Sequence, residues 1–202
     1  MNLPSLFFAL MMSMSLGHGA RADMLSLEEI SAFLNDLTTA RGTFTQINPD
    51  GTISTGTLYI QRPGRMRFEY NPPDPAIVMA GGGTVAIFDG KSNEPPQQFP
   101  LKRTPLSVIL ARDVDLTRAN MITDHRADEV TTTITAQDPE RTDIGHIELV
   151  FTSDPAELRQ WVIVDEGGNQ TTVILGDMER GLELDTALFS VPLEVEKLNP
   201  SR

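Results

Sequence analysis

Between Gly56 and Tyr70 the chain reads G-T-L-Y-I-Q-R-P-G-R-M-R-F-E-Y. Leu58 and Ile60 share one parity, and Met66, Phe68 and Tyr70 alternate with Arg65, Arg67 and Glu69. A period of two predicts strands, here with one apolar face and, in the second arm, one charged face. Pro63-Gly64 between the arms fixes one φ and permits a positive one, which a chain reversal needs. The parity of Leu58 and Ile60 runs on to Arg62, so a guanidinium sits at the border of a hydrocarbon face. An unpaired buried charge is costly, and Arg62 therefore needs a partner.

Upstream the period changes to that of a helix. Ser26-Leu27-Glu28-Glu29 has the form of a capping box, and Leu27, Ile30, Phe33, Leu34 and Leu37 follow as an apolar stripe, predicting an amphipathic helix over residues 27 to 38. A second, shorter one is expected from Thr104 as N-cap and Pro105 at the first helical position, with Leu106, Ile109 and Leu110 on one side and an end near Arg112. The pattern alone leaves open whether these stripes pack on an ordinary core or form a lid over a cavity.

The remaining pattern is of strands. Thr43 to Ile47, with Phe44 pointing inward, is followed by the turn Asn48-Pro49-Asp50-Gly51 and by Thr52 to Gln61. Ala76 to Ala80 and Thr84 to Phe88 form a hairpin around three glycines, and residues 89 to 103 read as an irregular, proline-rich loop. Val130 to Ala136, Ile144 to Phe151, Leu158 to Val164 and Gln170 to Leu175 then form an antiparallel meander with short connections. Asp185 to Phe189 is expected as a helical turn and Val191-Pro192-Leu193 as an edge segment. Hairpins plus two short helices make an α+β architecture in which helices cap one open face.

Composition sharpens this picture. Residues 3 to 16 are almost wholly apolar and are followed by Ala20-Arg21-Ala22, the small-x-small pattern of a cleaved secretory leader, although no Lys or Arg precedes the apolar run. About 14 apolar residues are too few to span a bilayer, which takes about 20. The expected product is one domain over residues 23 to 202. Loss of Arg21 leaves 15 basic against 28 acidic residues, a net charge of about −13. Such a surface repels phosphate backbones, so nucleic acid is not an expected partner. The absence of cysteine excludes a disulfide framework, thiolate metal sites, cysteine nucleophiles and a lipidated cysteine on the chain itself.

No catalytic constellation stands out. His146-x-Glu148 places two ligand types on one strand face, but zinc wants three or four. Ser54 and Ser107 lack the context of a hydrolase nucleophile, and pairs such as Asp113/Asp115 and Asp128/Glu129 arise freely on an acidic surface. Neither a metal nor a cofactor is expected. Met66, Met79, Met121 and Met178, with Phe44, Phe68 and Phe88, suit a packed core or an adaptable apolar cavity.

The order of these motifs resembles the periplasmic outer-membrane lipoprotein carriers, LolA-type proteins. The resemblance rests on G-T-F-T-Q at 42 to 46, the run from Gly56 to Tyr70 with the following N-P-P, I-V-M-A-G-G-G-T-V-A-I-F-D at 77 to 89, and T-P-L-S-V-I-L-A-R at 104 to 112. L-R-Q-W at 158 to 161 and D-T-A-L-F-S-V-P at 185 to 192 add to it. It implies an unclosed antiparallel β-barrel, a strongly curved sheet whose hydrophobic concavity is covered by short helices. It further implies a cavity for acyl chains lined by Phe44, Leu58, Ile60, Met66, Phe68, Tyr70, Met79 and Phe88. Ile30, Phe33, Leu34, Leu37, Leu106, Ile109 and Leu110 would belong to the covering helices, and Arg62 would latch them. The partners implied are outer-membrane lipoproteins, an inner-membrane releasing complex and an outer-membrane acceptor, for a monomer without enzymatic activity. The aromatic often found at Ala86 in that family is missing. Carriage of another amphiphile such as a glycolipid, or a regulatory module that senses lipoprotein, stays open as an alternative.

Overall fold

The structure is a computed structural model that describes residues 23–73, 75–92, 94–118 and 120–198. The expected leader, residues 1 to 22, lies outside them. Helix α1 (Leu27–Asp36) starts as its sequence dictates: Ser26 Oγ accepts from the Glu29 amide at 3.2 Å, and Glu29 Oε2 accepts from the Ser26 amide at 2.7 Å. Each side chain satisfies a donor the first turn leaves free. The helix ends two residues short of the expected end, because Thr39 already joins the sheet.

One antiparallel sheet of 11 strands carries the fold. β1 (Thr39–Ile47), β2 (Ile53–Gln61), β3 (Arg65–Tyr70), β4 (Ala76–Gly81), β5 (Thr84–Asp89) and β6 (Gln97–Pro100) follow one another outward from its middle. The chain then crosses through a 3-10 turn (Leu101–Arg103) and α2 (Leu106–Leu110) to the other edge. From there β7 (Ile122–Ala127), β8 (Thr131–Gln137), β9 (His146–Ser153), β10 (Ala156–Val164) and β11 (Gln170–Arg180) return until β11 pairs with β1. The edge strands β6 and β7 do not pair with each other, so the barrel stays unclosed. α3 (Val191–Leu198) completes the described chain.

Residues of alternating parity line the two faces. The inner face carries Leu58, Ile60, Met66, Phe68, Ile134, Leu149, Phe151, Trp161 and Val173, packed in one cluster with Ile30, Leu34, Leu106 and Ile109 from the two helices. Phe44 lies across Gly56, where a Cβ would collide with the Glu69 carbonyl and the Phe44 ring. Only glycine lets the aromatic sit that close to its partner strand. The outer face carries a smaller cluster of Met79, Ala86, Phe88 and Val191, with Ile77 and Val195 against it.

Four expectations are corrected. Val191-Pro192-Leu193 is no edge segment but the first turn of α3, started by Ser190, whose carbonyl accepts from the Glu194 amide at 3.1 Å. Proline is harmless there because the first turn has no carbonyl for its missing N–H to reach. The loop 89 to 103 contains β6, a strand exposed at every position. β7, whose sequence I-T-D-H-R-A is mostly polar, was not among the expected strands either. Thr104 does not cap α2; its hydroxyl donates to the Leu101 carbonyl at 2.8 Å.

Candidate functional site: a covered apolar concavity

The walls of the concavity are aromatic and aliphatic. Phe44 meets the rings of Phe68 and Tyr70 edge-on at 5.0 Å each, Phe68 meets Trp161 at 6.1 Å, and Phe33 of α1 meets Phe151 at 5.6 Å. Perpendicular rings place the positive edge of one against the negative face of the next. Tyr70 donates its hydroxyl to Gln46 Oε1 at 2.8 Å, and burial pushes its pKa up to about 12. Gln46 passes the chain on to Asn48.

Two helices cover these walls, held by polar contacts to backbone. Arg62 Nη2 donates to the Ala111 carbonyl, just past the last turn of α2, at 2.6 Å. The neighbouring Gly64 amide donates to the Leu110 carbonyl at 2.9 Å, so the tip of the β2–β3 hairpin holds two terminal carbonyls of α2. Burial lowers the pKa of Arg62, opposed by the charge of Asp113, and Arg62 Nε is buried with no hydrogen-bond partner among the described residues. The guanidinium is thus only partly satisfied.

The cover is also tied to itself. Asn35 of α1 donates to the Val114 carbonyl and accepts from the Val114 amide, both at 2.9 Å. Ser31 Oγ accepts from the Leu116 amide at 3.0 Å and donates to the Leu27 carbonyl at 2.6 Å. α1, α2 and the segment between Ala111 and Leu116 therefore form one unit. Its start is pinned to the sheet at Leu25, whose amide donates to Thr132 Oγ1 at 2.9 Å and whose carbonyl lies 2.8 Å from His125 Nε2. Across the unpaired seam, Arg141 Nη2 donates to the Lys102 carbonyl at 2.8 Å.

Among the expected lining residues, Phe44, Leu58, Ile60, Met66, Phe68 and Tyr70 come together on the inner face. Ile30, Phe33, Leu34, Leu37, Leu106, Ile109 and Leu110 all pack onto it. Met79 and Phe88 do not: they lie in the cluster under α3, because Met79 pairs with Arg67 and Phe88 with Ile77, the outward-facing parity. Ala86 shares that face, so its small side chain leaves the concavity unchanged.

The concavity is closed and filled by its own side chains. A gap of about 30 Å³ lies beside Phe33, Leu37, Ile60, Leu158 and Met178, room for about two waters. Along the seam, spaces of about 60 Å³ and 160 Å³ open next to Val108 and Met121. A long apolar guest fits only if the cover moves.

Arg67 is the residue sequence reading placed worst. Expected on the charged face of β3, it is covered there, 5% exposed, and pairs with Glu69 at 2.7 Å and with Glu194 of α3 at 3.0 Å, while Lys197 reaches Glu194 at 3.0 Å. Burial works against the Arg67 charge, but the two carboxylates outweigh it and raise its pKa. Val191 and Val195, four residues apart, were the available sign that a helix covers this side. His146 and Glu148 lie on the outer face of β9, where Glu148 pairs with Arg126 at 3.3 Å. Among the described residues, no group of three or more His, Asp or Glu is placed to hold a metal.

This half-open antiparallel sheet with helices clamped over its apolar hollow is built from a chain whose residues 35–192 match the family described as "Outer membrane lipoprotein carrier protein LolA". The chain belongs to this family. An outer-membrane lipoprotein carrier protein of Methylococcus capsulatus is 27% identical over 190 residues, covering 86% of each chain. One from Chromohalobacter salexigens is 25% identical over 181 residues, 85% of this chain and 84% of its own. The crystal structure of a LolA superfamily protein from Nitrosomonas europaea aligns with a TM-score of 0.42 at 9% identity, over 82% of this chain and 98% of that one. The family and these relatives are named as carriers of outer-membrane lipoproteins, not for a reaction.

Proposed function

We propose that this protein is exported, loses its leader near Ala22, and carries lipoproteins through the periplasm by burying their acyl chains between the sheet and the α1/α2 cover. It takes cargo from an inner-membrane releasing complex and hands it to an outer-membrane acceptor, acting as a monomer without cofactor or catalysis. The observation that supports this best is the Arg62 clamp. A guanidinium bonded to a helix-terminal carbonyl, with one buried nitrogen unpartnered among the described residues, holds the cover over a hollow whose gap beside Phe33 and Ile60 is only about 30 Å³.

Magnitudes make such a clamp reversible. Charge-assisted hydrogen bonds contribute about 1.5–3 kcal/mol each, and each methylene taken out of water contributes about 0.8 kcal/mol. Opening the cover exposes Ile30, Leu34, Ile109 and the facing wall, and an acyl chain replaces those contacts. The closed empty state and the open loaded state are then close enough in free energy for cargo to enter and leave.

Mass spectrometry of the organic extract of protein purified from periplasm tests this. Triacylated protein is the expected occupant. A glycolipid would reassign the cargo class, and a preparation that neither retains nor binds any acylated molecule would overturn the carrier reading.

A further inference from the structure

Trp161 is the only tryptophan of the chain and is fully buried at the centre of β10. A register shift between Leu158 and Gln160 turns both Leu158 and Trp161 to the inner face. There Trp161 has Leu149 and Val173 beside it on the flanking strands and Phe68 facing it edge-on. Its Nε1–H is buried and has no hydrogen-bond partner among the described residues. Buried indole N–H groups ordinarily find an acceptor, and leaving one bare costs on the order of 1–3 kcal/mol. A donor left bare in the wall of a ligand hollow is explained if the ligand supplies the acceptor.

The surroundings define that acceptor. Leu149, Val173 and Phe68 offer no counter-charge, so a carboxylate or phosphate brought there would lose its hydration without compensation. A hydroxyl would satisfy the indole but bring a donor of its own needing a partner. A neutral carbonyl attached to hydrocarbon accepts one bond and demands nothing further. Resting on the carrier reading above, we propose that Trp161 is a specificity-determining residue whose Nε1–H receives an acyl carbonyl, ester or amide, of the cargo. The hollow then selects acylated molecules over equally greasy ones without the carbonyl, and a single donor fixes how far along its axis the chain settles.

The test is a matched pair of probes, hexadecanoic acid methyl ester and octadecane, which has no acceptor, each titrated against full-length mature wild type and Trp161→Phe by displacement of a hydrophobic dye. Trp161 emission is read in dye-free samples. Trp161→Phe should lose about fivefold in affinity for the ester, the worth of one net hydrogen bond, and none for octadecane, and in the wild type only the ester should red-shift the indole emission. An equal change for both probes, or wild-type emission that answers the two alike, overturns the proposal while leaving the carrier reading intact. Should neither probe bind the wild type, both fall together. The emission comparison needs only the wild type and stands even if the variant folds poorly.

Discussion

Arg62 and Arg67 sit five residues apart at and beyond the same hairpin turn, yet they hold the two sides of the sheet in opposite ways. Arg67, on the outer side, is locked between the carboxylates of Glu69 and Glu194, with α3 closed over it. Arg62, at the rim of the inner side, is given a backbone carbonyl and leaves one nitrogen without a partner among the described residues. A buried ion pair that loses one member strands the other charge. A carbonyl released by a guanidinium at the rim can turn to water at little cost. One side is built to stay shut and the other to let go.

The largest break expected in this contrast is on the locked side. Arg67→Ala removes the cation shared by Glu69 and Glu194, leaving Glu194 with Lys197 alone, and should destabilise the protein by about 3 kcal/mol. At this chain length that lowers Tm by roughly 10 °C, which thermal unfolding followed by circular dichroism will register. A loss within 1 °C would mean that α3 is held by apolar contact with Met79 and Phe88 alone.

Next in size is Asn35→Ala, which strips the Val114 amide and carbonyl of their partners at once. About 1–3 kcal/mol should be lost, with faster hydrogen exchange between Ala111 and Leu116 and little change in β2 or β3. Exchange that speeds up throughout the sheet would show that the cover is no separate unit.

The smallest effect is a pH dependence. Arg67 and Lys197 overcome the burial of Glu194 and hold its carboxyl below the usual carboxylate range. A depressed carboxyl stabilises the folded state above its unfolded pKa, about 4.3, and that contribution disappears as pH falls through the folded value. Stability should therefore decline on acidification below about pH 4.3, and Glu194→Gln should flatten that slope. An unchanged acid limb would place the titrating groups elsewhere.

How much of this was legible in the sequence differs by region for a physical reason. The hairpin of β2 and β3 and the capping box of α1 were readable because one face of each is buried and the other is not. β4 and β5 are covered on both faces, by the concavity on one side and α3 on the other. Their runs I-V-M-A and V-A-I-F therefore show no alternation, and nothing in them tells that Met79 and Phe88 face outward while Val78 and Val85 face in. The edge strands fail in the opposite way. β6 has no buried position and β7 is mostly polar, so neither shows an apolar face to read. Arg62 was legible as a cation in need of a partner; that the partner is the Ala111 carbonyl depends on where α2 ends, which no local pattern fixes.

The claim on which the rest depends is that the Arg62 bond favours the closed, empty state over the loaded one. Its most direct test is the dissociation constant of a fluorescent long-chain acyl lipid for the wild type, Arg62→Leu and Arg67→Ala, with Arg62→Ala controlling for added apolar surface. Loss of a bond present only when the cover is shut should tighten binding to both Arg62 variants about tenfold or more, with Arg67→Ala, wherever it remains folded, close to the wild type. Unchanged or weaker binding by the Arg62 variants would contradict the account.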